Sequence, residues 1–336
     1  MHKIEPEKIN KILILQYQPF GDIILNTGYM PHLRKKFPEA KIDYLVYKPY
    51  KQVLEGNPYL DELILMEKLP RNTVKYWLYS LKMYLKIRKR KYDLVIDQMR
   101  STGSIQFVLF SGARYRLGYA HKKMNFIYNL NPAPGKVKYY AAMKLELLQI
   151  LGIHEESTEL YFHIKPDSLK YVDRWLDENQ IKQKEFICCS PGSPISWKQW
   201  DLKSYGKLLD MIIAETVFPV VLLWAPKEKQ VIEKIDSFMQ EKAFMAPETD
   251  FNQGGAMLKR SKLLICNDGG INHLSVAVKT PSIAIFSRTD PQRWGALEIP
   301  GHYALQAKDA ELRSASNFGI IPEQVFTQFK QALREI

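Results

Sequence analysis

Asp22 stands in the segment QPFGDIILNTGYM, where an apolar run ends in a polar loop and a helix-like pattern follows. A carboxylate at the C-terminal end of a buried strand can serve as a general base, with Gly21 letting the backbone turn tightly. The same position suits an N-cap, because an Asp side chain accepts from the first amides of a helix. Local sequence leaves both readings open. Further on, SPGSPISWKQW places Ser193, Ser196 and Lys198 in a loop that Pro191, Gly192 and Pro194 keep out of regular structure. Hydroxyls and an ammonium group together suit a phosphate; the plainer reading is a solvated loop anchored by Trp197 and Trp200. In LLICNDGGINHLSVAVK, Asp268 precedes Gly269 and Gly270, whose backbone N–H groups at a helix start suit a diphosphate. Asp268 either caps that helix or holds a ligand hydroxyl. His273, one turn further in, fits a core histidine bonded to a neighbouring loop better than a ligand. A polar turn, SRTDPQRW, is expected to border the same site.

Such loops need strand ends to hold them. Apolar runs at Ile12–Leu15, Ile42–Val46, Leu63–Met66 and Leu94–Asp97 predict strands, separated by loop or helix-compatible sequence. That alternation marks a parallel sheet with crossovers. Met30–Phe37 continues the first helix to a stop at Pro38, and KYYAAMKLELLQILGI predicts another helix with Gly152 as C-cap. HEESTEL then serves as a linker, and the pattern restarts. Phe186–Ser190, Val220–Leu223, Leu263–Asn267 and Ser282–Phe286 predict strands, with helices at about 201–215, 227–240, 252–260 and 270–279 between or beside them. Asp201 is placed to cap the first of these. IPEQVFTQFKQAL predicts a terminal amphipathic helix with Ile321, Val325, Phe329 and Leu333 on one face.

With 336 residues, the chain has material for two domains with sizeable cores. No run reaches the roughly 18 apolar residues of a membrane span, and MHKIEPEKIN mixes charges where a signal peptide would be apolar. Three cysteines make no disulfide framework, so a reducing, cytoplasmic location is expected. The net charge of +12 is uneven: residues 1–150 hold 26 Lys+Arg against 12 Asp+Glu, and the remainder 22 against 24. The first half therefore expects an anionic partner: nucleic acid, an acidic glycan or a membrane surface. In RNTVKYWLYSLKMYLKIRKRKYD, Val74, Trp77, Leu78, Leu81 and Leu85 share a helical face. Lys75, Lys82, Lys86, Arg88, Lys89, Arg90 and Lys91 crowd the rest, which fits a membrane-surface helix and a core-packing crossover helix equally.

Taken in order, several segments resemble the heptosyltransferases of glycosyltransferase family 9, which build the inner core of bacterial lipopolysaccharide. They are ILILQYQPFGDIILNTGYMPHLRKKFPEAKIDYLV, NPYLDELI, KYDLVIDQMRSTGS, ARYRLGYA, SPGSPISWKQWDLKSYGKLLD and CNDGGINHLSVAVKTPSIAIFSRTDPQRW, spread along nearly the whole chain. The resemblance implies an α/β GT-B fold: two Rossmann-like domains with parallel sheets facing a central cleft. The acceptor would bind the first and a nucleotide-sugar the second. Expected bounds are 1–155 and 156–320, with a helix at 321–336 packing back toward the N-terminal domain. The implied reaction is inverting, metal-independent transfer of a heptose or similar sugar, with ADP-heptose the expected donor and an anionic lipid-linked oligosaccharide the acceptor.

By the same resemblance, Asp22 matches the family's base and Lys198 the lysine that holds the donor diphosphate. Asp268 matches the aspartate on the donor sugar, within the loop that also holds Gly269, Gly270 and His273. Glu228, in APKEKQ, corresponds to the carboxylate on the donor ribose, and Ser193 and Ser196 join the donor side. Gly21, Arg100, Arg114, Arg116, Lys122 and Lys123 are expected on the acceptor side. No cofactor or metal is expected, because the nucleotide-sugar is a substrate; peripheral contact with the inner membrane is. The chain departs from the family at Ile271-Asn272, where Pro-Met or a similar pair is usual, and at Ser287-Arg288, where Gly-Pro is frequent. Both pairs flank the donor loops.

Three other classes fit less of the sequence. A nicotinamide dehydrogenase needs G-x-G-x-x-G after its first strand, and only Gly21 and Gly28 occur there. A GT-B sugar-nucleotide epimerase shares the donor loops but needs no acceptor. A nucleic-acid binder accounts for the basic half and leaves the phosphate-suited loops of the other half unexplained, so no nucleic-acid partner is expected.

Overall fold

The computed structural model describes residues 4–99, 101–119, 126–133, 135, 138–157 and 159–336. The chain forms two units, Met1–His163 and Ile164–Ile336. In the first, β1 (Lys11–Leu15), β2 (Lys41–Tyr47), β3 (Glu62–Met66), β4 (Leu94–Asp97) and β5 (Tyr115–Gly118) make one sheet in the order β3-β2-β1-β4-β5. Every pairing is parallel. Its helices are α1 (Phe20–Thr27), α2 (Met30–Lys36), α3 (Val74–Arg90), α4 (Thr102–Ser111) and α5 (Tyr140–Glu146). A parallel sheet covered on both faces is written as unbroken apolar runs, and Ile12 to Leu15 of β1 are fully buried. Strand order reverses between β1 and β4, and open α/β sheets bind ligands beyond the strand ends at such a point.

The second unit repeats the plan. Strands β6 (Ile187–Ser190), β7 (Val220–Leu222), β8 (Phe244–Met245), β9 (Leu263–Asn267), β10 (Ser282–Ile285) and β11 (His302–Leu305) pair in parallel in the order β11-β10-β9-β6-β7-β8. They are joined by α6 (Pro166–Glu178), α7 (Leu202–Glu215), α8 (Lys229–Asp236), α9 (Phe251–Arg260), α10 (Gly270–Ala277), α11 (Pro291–Trp294) and α12 (Pro322–Glu335). Here the order reverses between β6 and β9. The Pro191 and Asp268 loops leave those two strands, so the register brings both loops to one end of one sheet.

Several local expectations change. β5, β8 and β11 are strands that the apolar runs do not announce. β5 carries Arg116, β8 is two residues long, and three of β11's four residues are only half-buried. The helix expected to run on from Asp22 to Phe37 is two helices, α1 and α2, meeting at Gly28-Tyr29. The unit boundary falls at 163/164, not 155/156: Tyr161 N donates to Thr27 Oγ1 at 2.9 Å, and the His163 ring lies against Gly56. The terminal helix clusters with the second unit, where it rests on α7 and β10. Val325, Phe326, Phe329 and Ala332 form its buried stripe, whereas Ile321 is half exposed.

Candidate active site

Asp22 lies in the first turn of α1, directly beyond β1. The helix begins at Phe20 with Pro19 as its N-cap, and no side chain closes that cap. The N-cap reading of Asp22 is therefore corrected: its half-buried carboxylate is the third helical residue, in the positive field of the helix start. Gly21 is helical, so it does not make a tight turn there.

A residue that the sequence reading did not single out faces this carboxylate. Lys144 on α5, which packs on α1, is buried to 1% exposure. Its Nζ donates to Gln16 Oε1 at 3.1 Å and sits 5.2 Å from the Tyr140 ring centroid. Burial pushes the ammonium down to about 8, while the charges of Asp22 and Asp97 pull it back up. Gln98 Nε2 donates to the Lys144 carbonyl at 3.3 Å, and Tyr128 OH donates to Asp97 Oδ2 at 2.7 Å. The end of β1 thus carries a buried polar cluster around Asp22. The available signal was a lysine on the Ala141, Leu145, Leu148 face of its helix, where only apolar residues belong.

Of the other acceptor-side candidates, Arg114 and Arg116 do not join this cluster. Arg114 precedes β5 at the N-terminal end of the strands, level with Asp93, and β1 carries Asp22 beyond its C-terminal end. Its Nη2 donates to Glu5 Oε1 at 2.5 Å. Arg116 spends its guanidinium on its own loop, donating to the Ile127 carbonyl at 2.6 Å and the Ala113 carbonyl at 3.2 Å. Arg100, Lys122 and Lys123 lie outside the described residues.

In the second unit, Lys198 Nζ lies 2.6 Å from Asp268 Oδ2, with the two side chains 17% and 3% exposed. Thr289 Oγ1 donates to the same oxygen at 2.5 Å, bringing the SRTDPQRW turn to the pair. Asp268 does not cap α10, whose N-cap is Gly269. A Cβ on Gly269 would meet nothing nearer than the Asn267 carbonyl at 4.0 Å, and its backbone is extended, so the fold itself does not demand glycine there. Asn267 ties the two loops together: Nδ2 donates to the Pro191 carbonyl at 2.7 Å, and Oδ1 accepts from Trp200 N and Tyr205 OH at 3.0 Å each. Ser193 closes a local turn with Ile195, while Ser196 is exposed. Trp200 is fully buried and Trp197 is not, so one of the two expected anchors holds the loop.

Glu228 reaches the same loop from the start of α8. A Cβ at Gly192 would fall 2.2 Å from its Cδ, so glycine permits the close approach. Burial raises the Glu228 carboxyl, against the lowering effect of the hydrogen bond from Ala225 N at 3.0 Å. His273 is buried, its ring 6.0 Å from that of Trp294. Asn272, at the first departure from the family pattern, is buried with its Oδ1 accepting from Ser282 Oγ at 2.7 Å. At the second, Gln306 Nε2 donates to the carbonyls of Ser287 and Thr289 at 2.7 Å each, fixing the turn. Asp201 caps α7, accepting from Ser204 N at 2.8 Å.

Solved structures share this fold. The glycosyl transferase family 9 protein from Veillonella parvula DSM 2008 matches with a TM-score of 0.85 at 20% identity, covering 97% of this chain and 98% of that one. The Escherichia coli heptosyltransferase WaaC with ADP-2-deoxy-2-fluoro heptose matches at 0.75 and 16%, covering 96% and 99%. The two Rossmann-like units are those of a GT-B fold, and the family that the sequence matches makes this protein a glycosyltransferase. Residues 80–313 match glycosyltransferase family 9 (heptosyltransferase), and the chain belongs to that family. The match takes in Lys198, Glu228 and Asp268 and starts after Asp22. Lipopolysaccharide heptosyltransferase 3 of Escherichia coli (strain K12) is 27% identical over 285 residues, 82% of this chain and 81% of that protein.

Proposed function

We propose that this enzyme transfers a heptose, with inversion and without a metal, from ADP-heptose to the inner core of lipopolysaccharide or a related lipid-linked glycan. The observation that carries the reading is the Lys198–Asp268 pair beside the Gly269-Gly270 start of α10. The relatives named for lipopolysaccharide heptose transfer, and the solved structure holding an ADP-heptose analogue, support the choice of donor and acceptor.

In this reading an acceptor hydroxyl attacks the anomeric carbon opposite the diphosphate. The carbon–oxygen bond to the diphosphate breaks, its electron pair leaves with ADP, and the hydroxyl proton passes to the Asp22 carboxylate. Lys198, the Ser196 hydroxyl and the α10 amides meet the charge that grows on the departing diphosphate. Asp268 takes a donor-sugar hydroxyl, and Glu228 takes the ribose. The Lys144 ammonium holds positive charge beside Asp22. The enzyme works on the cytoplasmic side of the inner membrane, where its lipid-linked acceptor is built.

A thermal-shift screen across nucleoside diphosphates and their sugars tests the donor. Selective stabilisation by ADP and ADP-heptose is expected, and a UDP or GDP preference would redirect the assignment. Transfer that persists in a chelator is expected of a metal-free site; loss of turnover restored by a divalent ion would contradict it.

A further inference from the structure

The apolar row of α3 points outward. Val74 is 76% exposed, Trp77 59%, Leu78 65%, Leu81 51% and Leu85 53%. Spaced three and four apart, they form one stripe along a helix about 25 Å long. The core contact is made by a different face, through Ser80, Met83, Tyr84 and Ile87. The row is therefore surplus to folding, and a contiguous exposed apolar surface marks an interaction site. It widens onto the neighbouring helix, where Phe110 stacks on Tyr84 with ring centroids 4.8 Å apart and is itself 51% exposed, as is Leu109.

Charge identifies the occupant. Lys75, Lys82, Lys86 and Lys89 run along one flank of the row, all exposed, and the helix carries no Asp or Glu from 74 to 90. A protein partner of ordinary composition has no need of an unbroken cationic flank, whereas an anionic lipid leaflet does. No described helix is long and apolar enough to cross a membrane, so α3 can lie on one but not span it.

We infer that the outward face of α3, with Leu109 and Phe110 of α4, seats the enzyme on an anionic phospholipid surface. Trp77, Leu78, Leu81 and Leu85 enter the headgroup region while the lysine flank meets lipid phosphates. The inference specifies the surface that would bring the enzyme to a lipid-linked acceptor and in that respect rests on the proposed function. The contact itself requires neither donor nor acceptor.

The test is co-sedimentation of the full chain with phosphatidylcholine vesicles, with and without phosphatidylglycerol, at about 0.1 M salt. Binding is expected only with phosphatidylglycerol and should weaken as salt rises. Leu78→Ser/Leu81→Ser should lose at least about tenfold in partitioning through lost apolar burial. Lys75→Gln/Lys82→Gln/Lys86→Gln should lose on the order of a hundredfold, since each basic residue near an anionic leaflet contributes roughly fivefold. Both variants should melt with wild-type Tm, because the replaced side chains do not enter the core. Absence of vesicle binding, or binding that both variants retain, overturns the inference. So does sedimentation showing a dimer that the double serine variant dissociates while vesicle binding stays unchanged, for the face would then belong to a second copy. Each of these outcomes leaves ADP binding and transfer to a soluble acceptor untouched, so failure here is distinct from failure of the transferase reading.

Discussion

Lys198 Nζ and Asp268 Oδ2, residues from two different loops, stand 2.6 Å apart and neutralise each other. The pair is asymmetric, because Asp268 is buried while Lys198 keeps partial access to water. Lys198→Ala leaves a buried carboxylate that still accepts from Thr289 but has lost its cation, which should cost about 3 kcal/mol. Asp268→Asn keeps a polar partner for Thr289 and lets the lysine turn to solvent, so it should cost less. Thermal melts should therefore rank Lys198→Ala below Asp268→Asn. Calorimetry with ADP should show roughly a 10–100-fold loss for Lys198→Ala, the scale of a charge-assisted contact. Unchanged ADP affinity would remove Lys198 from the phosphate site.

Asp22→Asn keeps the shape of the side chain and removes its basicity. Turnover should fall by about two to four orders of magnitude, the usual contribution of a positioned base. ADP should stabilise the variant as it does the wild type, because the donor loops belong to the second unit. A variant that turns over at near-wild-type rate would leave Asp22 with no catalytic role.

Sequence carried the fold because parallel strands buried on both faces are continuous apolar runs. Each expected strand, such as Leu263–Asn267, lies within a residue or two of a real one. Three of the four edge strands escaped for the same physical reason, β3 alone being announced by its apolar run. β8 and β11 are short or half-buried, and β5 interrupts its apolar residues with Arg116. The loops around Lys198 and Asp268 were legible because glycine and proline cluster where strands end at a switch point. What remained hidden depends on three-dimensional neighbours. Periodicity identified the apolar stripe of α3 but not its direction, since both of the helix's apolar faces obey the same spacing. Lys144 was hidden because its partner Gln16 is 128 residues away.

Gly192→Ala tests the placement of Glu228 without touching the carboxylate chemically. The added Cβ would fall 2.2 Å from Glu228 Cδ, the far end of a flexible side chain, so the carboxylate should swing away rather than the fold yield. Stability should change by less than about 1 kcal/mol, within the range of substitutions that leave the core alone. ADP affinity should fall by roughly tenfold as the ribose loses one charged acceptor. Glu228→Gln should reproduce most of that loss, and the double variant should add little to either, because coupled neighbours are not additive. An additive double variant would mean that Gly192 and Glu228 act separately.

Lys144 gives the first unit a pH signature of definite sign. Its ammonium titrates near 8 in the folded protein, down from the usual 10.5, because burial outweighs the attraction of Asp22 and Asp97. Below about pH 8 the folded and unfolded chains both carry the charge, and the folded state bears its full desolvation cost. Between about 8 and 10.5 the unfolded chain holds more of the proton, so this group makes stability rise with pH across that window. The gain should amount to about 1–3 kcal/mol. Lys144→Met retains the apolar stem and abolishes the titration. Urea unfolding of both proteins at about pH 7 and about pH 9.5 isolates the effect, because titrations common to the two chains cancel in the difference. The wild type should gain on Lys144→Met as pH rises, and parallel curves would show that Lys144 carries no buried charge. Transfer by Lys144→Met should also fall, since the positive charge facing Asp22 is gone; loss of turnover with ADP affinity intact would mark Lys144 as a positioning residue for that carboxylate.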